Sequence, residues 1–147
     1  TDGEEAGLRG CKQWAKDHYD EYVNSGVETA VLCVDTLADL EYLRVYNKDM
    51  TGTVKNSQQF SQLVMDSAKD SGHNDLEFSS VYFGSSDAAA FSQAGITATC
   101  LAAMDPKPAD YYHNRRDTAE RLVPEAIKTG FDVIISTILN FDEKGLN

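Results

Sequence analysis

Apolar residues recur every three or four positions in four stretches of the chain, which is the spacing that one face of an α-helix produces. The four predicted helices cover about 7–22, 57–72, 87–95 and 124–145. Asn56 or Ser57 is expected to cap the second helix, and Gly95 to end the third. In the last helix the apolar stripe is predicted to face a sheet. This stripe comprises Ile127, Phe131, Ile134, Ile135, Ile138 and Leu139.

Four short apolar or alternating runs are typical of β-strands, namely "ETAVLCVD", "LEYLRVYN", "LEFSSVYF" and "ITATCLAAM". The first run ends on Asp35, so the strand is expected to deliver a carboxylate at its carboxyl end. Strands and helices alternate without a linker or an internal repeat. We therefore predict a single domain, residues 1–147, with three α/β/α layers around a mostly parallel or mixed central sheet.

The chain carries 24 acidic residues against 13 lysines and arginines, which gives a formal net charge of −11. A negative field of this size repels phosphate backbones and anionic lipid headgroups. The apolar runs are also much shorter than the roughly 18 residues of a membrane span. Both features argue against a nucleic acid or a membrane as the partner.

The cysteines are too few and too widely spaced for a disulfide scaffold or a thiolate zinc site. Cys11, Cys33 and Cys100 are interpreted as small buried apolar side chains. His18 lies on the first predicted helix, where packing or hydrogen bonding is the simpler interpretation. His73 follows the second helix in "GHND" and is predicted to be solvated.

Residues capable of chemistry fall on three segments expected at the carboxyl ends of strands, where open α/β sheets place their functional cleft. Glu4 and Glu5 come first, Asp35 follows a strand, and His113 lies in "DYYHNRRDT". Carboxylates with one imidazole are a donor set that suits zinc. Of two adjacent glutamates, one can bind a metal while the other accepts a proton. The alternative is structural, because a helix dipole stabilises acids near its N-terminus by about 0.3–1 kcal/mol.

Four motifs follow one another along the chain, "DGEEAGLRG", "LCVD", "SSDAAAF…AGI" and "HNRRDT". In this order they resemble the motifs of the co-catalytic di-zinc aminopeptidases. That family includes the bacterial leucyl aminopeptidases, and glutamate carboxypeptidase II and the glutaminyl cyclases are related to it. The resemblance implies a zinc-exopeptidase fold and the removal of N-terminal residues from peptides.

The resemblance also implies a role for each matching residue. Glu4 would be the general acid/base, Glu5 and His113 would bind one zinc ion, and Asp35 would bind a second. Hydrolysis would use a zinc-bound hydroxide, with Glu4 taking the proton of the water and passing it to the leaving amine. Tyr82, just ahead of "GSSD", is a candidate for stabilising the oxyanion, and the alternative for it is a core aromatic in a strand.

The sequence departs from the family pattern at several points. Ala88 follows Asp87 where the family has a histidine, and Asp117 with Glu120 is interpreted as a capping pair for the last helix. The family's first histidine ligand and its bridging aspartate precede the glutamate pair with which this sequence opens. The chain is therefore expected to be the C-terminal portion of a catalytic domain, without its N-terminal strands and with an incomplete set of zinc ligands.

Two alternatives to a zinc aminopeptidase are left open. One is a glutaminyl cyclase-like enzyme with a single zinc ion, and the other is a non-catalytic binding module on a peptidase scaffold. The expected partner of the aminopeptidase is a peptide with a free N-terminus. The absence of the early strands would expose an apolar sheet edge, which favours either a homo-oligomer or association with the N-terminal part.

Overall fold

Five strands form one mixed sheet in the computed structural model, which describes residues 1–105, 107 and 109–146. The strands are β1 (Val31–Asp35), β2 (Leu43–Asp49), β3 (Val54–Lys55), β4 (Phe78–Ser80) and β5 (Ala98–Ala103). Their order is β1-β5-β2-β3, and β4 also pairs with β2. β1 is parallel to β5 and β4 to β2, whereas β3 and β5 run antiparallel to β2. The prediction of a mixed sheet is confirmed.

In the described part of the chain, four α-helices cover the sheet: α1 (Arg9–Asp17), α2 (Gln58–Asp70), α3 (Asp87–Gln93) and α4 (Pro124–Lys144). The first is shorter than predicted, since the chain continues after it as a π-helical turn over Asp20–Asn24. The hydroxyl of Ser57 caps α2 as expected and accepts a hydrogen bond from the Phe60 amide at 3.2 Å. Within the described residues, no helix is both long enough and apolar enough to cross a membrane.

The central strand β5 explains the three layers, because it is buried along its whole length. Ala98, Cys100 and Ala102 belong to a core shared with α1 and α3. Leu101 and Ala103 belong to a second core, shared with α2 and α4. Successive strand residues point to opposite faces, so a strand between two helical layers needs a continuous apolar run. The predicted α/β/α sandwich is confirmed.

The predicted orientation of α4 is wrong for four of the six residues of the apolar stripe, whereas Ile134 packs against the core and Ile127 is half-buried. Phe131, Ile135, Ile138 and Leu139 of the apolar stripe are between 53% and 64% exposed, so this face of the helix does not pack on the sheet. β1 also has apolar surface in solvent, since Val34 is 44% exposed at the end of the strand order.

The buried face of α4 consists of smaller side chains, Ala126, Thr129, Gly130, Val133 and Thr137. Gly130 lies so close to Leu37 that an added Cβ would stand 2.6 Å from the Leu37 Cδ1 atom. Close approach of the helix therefore favours small residues, whereas hydrophobic periodicity is dominated by the large ones.

The cysteines are free, and Cys11 and Cys100 are buried as predicted, while Cys33 is half-buried. His18 packs against Trp14 with ring centroids 4.8 Å apart, which confirms the interpretation of this histidine as packed. The prediction that His73 is solvated is wrong. Its Nε2 atom lies 3.2 Å from the Asp132 Oδ2 atom, so this partly buried ring joins the end of α2 to α4.

The orientation of α4 predicts different results for two substitutions. Val133→Ala should lower the free energy of unfolding by roughly 2 kcal/mol, because Val133 is fully buried and its truncation leaves a cavity. Ile135→Ala should cost less than about 0.5 kcal/mol, because Ile135 is 53% exposed. Urea unfolding followed by circular dichroism measures both. A larger loss for Ile135→Ala would show that the large apolar stripe is the packed face.

Candidate active site

The segment ahead of α1 is held by its own backbone hydrogen bonds. The carbonyl oxygen of Glu4 accepts hydrogen bonds from the amides of Gly7 and Leu8, at 3.0 and 2.9 Å. Gly3, Gly7 and Leu8 all have positive φ angles, 69°, 90° and 61°, which is unstrained for glycine but not for leucine. The Leu8 side chain is 3% exposed, and its burial in the core offsets this strain. The segment that carries the two glutamates is thus anchored at its C-terminal end.

Gly10 is the point of closest contact between this segment and α1. A Cβ atom at this position would overlap the Asp2 carbonyl oxygen and stand 3.0 Å from the Asp2 nitrogen. The lack of a side chain at Gly10 lets the backbone before Glu4 lie directly on the helix. A glycine in the first turn of α1 is therefore part of what places the glutamates.

The four candidate residues, Glu4, Glu5, Asp35 and His113, line one cleft of about 540 Å³. Asp35 reaches the cleft as the last residue of β1. His113 comes from the long connection between β5 and α4. The structure therefore brings together three segments that are distant in the sequence, and the roles of the four residues stay predictions.

Glu5 and His113 face each other across this cleft, with 3.1 Å between Glu5 Oε1 and His113 Nε2. Two ligands of a tetrahedral zinc ion with bonds of about 2.1 Å lie roughly 3.4 Å apart, so the pair fits two adjacent ligand positions. His113 is itself positioned by stacking on Tyr112, with ring centroids 3.8 Å apart. Asp35 accepts a hydrogen bond from the Thr36 hydroxyl at 2.9 Å.

The described residues contain no group of three or more histidine, cysteine or acidic side chains with the geometry of a metal site. The pair of Glu5 and His113 therefore fits part of a zinc site, and its donors match zinc in type, one carboxylate oxygen and one imidazole nitrogen. A complete site requires at least one more ligand.

Glu4 differs from Glu5 in its surroundings. Glu4 is half-buried, whereas Glu5 is exposed. Burial raises the pKa of the Glu4 carboxyl, and the nearby carboxylates of Glu5, Asp35 and Asp87 raise this pKa further. A raised carboxyl pKa suits a group that takes a proton and gives it back near neutral pH.

Asp87 lies at the start of α3 and lines a second cavity, of about 460 Å³, together with Glu4 and Asp35. Its Oδ2 atom accepts a hydrogen bond from the Thr1 hydroxyl at 2.9 Å. Its buried Oδ1 atom has no hydrogen-bond partner among the described residues. The Asp87 carboxylate is one of the neighbouring groups that raise the pKa of Glu4.

Asp49, which the sequence interpretation missed, holds this loop in place. It is fully buried, and its Oδ2 atom accepts a hydrogen bond from the Ser86 hydroxyl at 2.6 Å. Its Oδ1 atom accepts from the amides of Ser86 and Met50, at 3.1 and 2.8 Å. The Ser86 hydroxyl in turn caps α3 by accepting from the Ala88 amide. The only sequence signal is an acid at the end of the alternating run of β2.

Tyr82 lies outside the cleft that holds Glu4. It is 53% exposed, so the alternative of a core aromatic is wrong, and it lines a neighbouring cavity of about 360 Å³. Phe83, the next residue, lines the cleft instead. This placement does not favour an oxyanion role for the Tyr82 hydroxyl.

The capping interpretation of Asp117 is also wrong. Val123 stands at the N-cap of α4, and no side chain of the described residues caps this helix. Asp117 lines the cleft with His113 instead. It is the acid of the motif "HNRRDT", so the resemblance carried a signal that the local capping pattern obscured.

Solved structures define the class of this fold. The aminopeptidase from Aneurinibacillus sp. strain AM-1 matches with a TM-score of 0.71 and 21% identity, over 93% of this chain and 31% of that protein. A glutaminyl cyclase from an Acidobacteriales bacterium matches with a TM-score of 0.72 and 19% identity, over 94% of this chain and 47% of that protein. BSAP, a zinc aminopeptidase from Bacillus subtilis, matches with a TM-score of 0.68 and 20% identity, over 95% of this chain and 34% of that protein. The chain has the mixed α/β fold of these enzymes and spans between 31% and 47% of their lengths.

A comparison with protein families matches residues 1–138 to peptidase family M28. Because the match covers nearly the whole chain, the chain belongs to peptidase family M28. A search of curated proteins gave no match. The resemblance noted in the sequence is confirmed at the level of the family and the fold.

Gly10→Ala should release the glutamate segment from α1. Alanine favours a helix by about 1 kcal/mol over glycine, but the added Cβ displaces the Asp2 backbone. We expect faster hydrogen exchange at the amides of Leu8 and Arg9, which donate to the carbonyl groups of Glu4 and Gly3. Lys16→Ala, at an exposed position of α1, is the control. Unchanged protection in Gly10→Ala would contradict the close contact.

The raised pKa of Glu4 predicts a pH-dependent effect of Glu4→Gln in the metal-free protein. The folded state keeps the Glu4 proton to a higher pH than the unfolded state, so stability falls as the pH rises through the raised pKa. Glu4→Gln should therefore raise the thermal midpoint at pH 7, and the gain should vanish near pH 4. Calorimetry at both pH values tests this, with Asp75→Asn in an exposed loop as the control. A lower midpoint for Glu4→Gln at pH 7 would contradict it.

Proposed function

We propose that this chain is part of the catalytic domain of a zinc-dependent aminopeptidase. One observation carries the proposal: the Glu5 and His113 pair, 3.1 Å apart, shares a cleft with the half-buried Glu4. Membership of peptidase family M28 and the likeness to aminopeptidase structures support a peptidase. The substrate is a peptide with a free N-terminus.

Glu5 and His113 would hold one zinc ion, and Asp35 would contribute to a second. Zinc bound there supplies Lewis-acid polarisation of a carbonyl group and lowers the pKa of water. Glu4 accepts a proton from water and transfers it to the amine that leaves, a function that its raised pKa favours.

A glutaminyl cyclase is the second candidate. It is favoured by the structural likeness to the bacterial glutaminyl cyclase, 47% of which is matched by this chain. A single zinc ion would then be held by residues of the same cleft. Glu4 would move a proton from the attacking α-amine to the leaving ammonia. The two candidates differ in product, since cyclisation of a glutaminyl peptide releases ammonia without cutting a peptide bond.

Glu4→Gln and His113→Ala separate proton transfer from zinc binding. Glu4→Gln should lower turnover of leucine 4-nitroanilide at least about 100-fold with zinc affinity retained, because it removes only the proton acceptor. His113→Ala should lower zinc affinity at least about tenfold. Mutation of a residue that only hydrogen-bonds to a metal ligand already lowers metal affinity about tenfold or more, and loss of the ligand itself should lower it at least as much. Zinc affinity is measured by competition with a coloured chelator, and turnover by release of 4-nitroaniline.

His73→Ala is the matched control, because His73 pairs with Asp132 on α4 rather than lining the cleft. Equal zinc affinity in the two histidine variants would overturn the zinc assignment. Ammonia release from a glutaminyl peptide, without turnover of the anilide, would favour the cyclase. Zinc binding with neither reaction would favour a binding module.

A further inference from the structure

The cavity lined by Tyr82 opens directly beside the cleft that holds Glu4. Its volume is about 360 Å³, and it shares five lining residues with the cleft, Thr36, Phe83, Met104, Tyr111 and Tyr112. A ligand held in the cleft can therefore extend a side chain into this cavity without leaving the shared wall. We call this space the side cavity.

Aromatic rings form much of the side cavity, namely Tyr42, Tyr82, Phe83, Tyr111 and Tyr112. The faces of such rings attract cations and pack against hydrocarbon stems. The chain already contains one contact of this type, as the Arg121 guanidinium carbon lies 5.3 Å from the centre of the Tyr111 ring. Tyr112 also stacks on His113, so the side cavity borders the Glu5 and His113 pair.

The charged groups of the side cavity are all acidic: Asp39, Glu41 and Asp105 line it, and no lysine, arginine or histidine does so among the described residues. Backbone amides fix two of these carboxylates. The Glu41 amide donates to Asp39 Oδ1 at 3.0 Å, and the Lys107 amide donates to Asp105 Oδ1 at 2.7 Å. Asp105 and then Glu41 raise the pKa of the Tyr42 hydroxyl, as expected for a negative potential at this wall.

We propose that the side cavity is a subsite for a positively charged substrate side chain, so that the enzyme prefers peptides that begin with lysine or arginine. The aromatic walls pack against the aliphatic stem, while the carboxylates of Asp39, Glu41 and Asp105 receive the charged end. A glutamate or aspartate side chain is repelled by the same groups. This inference rests on the proposed aminopeptidase function and names its substrate class.

Lysine and norleucine provide a matched test, since their side chains share a four-carbon stem and differ in the terminal charge. We would measure kcat/KM for the two amino acid 4-nitroanilides, and binding of lysinamide and norleucinamide by NMR titration. Lysine should be preferred about tenfold in both measurements at low salt. Asp39→Asn combined with Glu41→Gln, or 0.5 M salt, should reduce the preference to less than about threefold. Asp75→Asn is the control and should leave it unchanged.

The two readouts separate this inference from the proposed function. If both anilides are turned over without a preference for lysine, in the unchanged protein and in the double variant alike, the subsite is overturned. The proposed aminopeptidase function would then still hold. Tighter binding of lysinamide that is lost in the double variant, without any turnover, would support the subsite and count against the activity. Equal binding of both amides without turnover would overturn both.

Discussion

Burial of β5 on both faces is the constraint on which the cleft depends. Its small and apolar side chains allow helices to pack above and below, and its two edges fix β1 on one side and β2 on the other. The parallel pairing with β1 sets Asp35 opposite Ala102, and the Ala103 amide donates to the Thr36 carbonyl oxygen at 3.1 Å. Both strands therefore end at the same edge of the sheet. The connection after β5 leaves from that edge, which brings His113 to the cleft.

The cleft brings together negatively charged side chains, which does not by itself favour the folded state. Glu4 and Asp35 line both the main cleft and the cavity at Asp87, so carboxylates face one another from three separate segments. Their mutual repulsion raises the free energy of the folded chain, in the same direction as the overall charge of −11. A bound cation or proton relieves this repulsion. A helix dipole stabilises acids in the first turn of a helix, but the first turn of α1 contains no acid. The cluster of carboxylates is therefore more readily explained by ligand binding than by stability.

Features governed by local physics could be predicted from the sequence, and features governed by packing could not. The Ser57 cap, the strand that ends at Asp35 and the fully buried run of β5 each follow from a local pattern. The buried face of α4 does not, because it consists of small side chains around Gly130, whereas hydrophobic periodicity is dominated by the large ones. For the site, motif order indicated which segments meet, whereas neither the placement of Tyr82 and Phe83 nor the contacts of Asp49 has a local signal. Both depend on how a loop turns after β4.

The connection between β5 and α4 contributes both to the wall of the side cavity and to the Glu5 and His113 pair. Tyr112 and His113 are adjacent and stacked, so the ring that forms a wall of the side cavity also supports the imidazole that faces Glu5. His113 has a positive φ of 54°, a backbone conformation that contacts on both sides of the residue have to maintain. A change in the aromatic wall would therefore shift the imidazole as well as the shape of the cavity. The shape of the side cavity is therefore constrained at Tyr112, whereas variation is better tolerated at Asp39 and Glu41, which line the side cavity but not the cleft that holds Glu4.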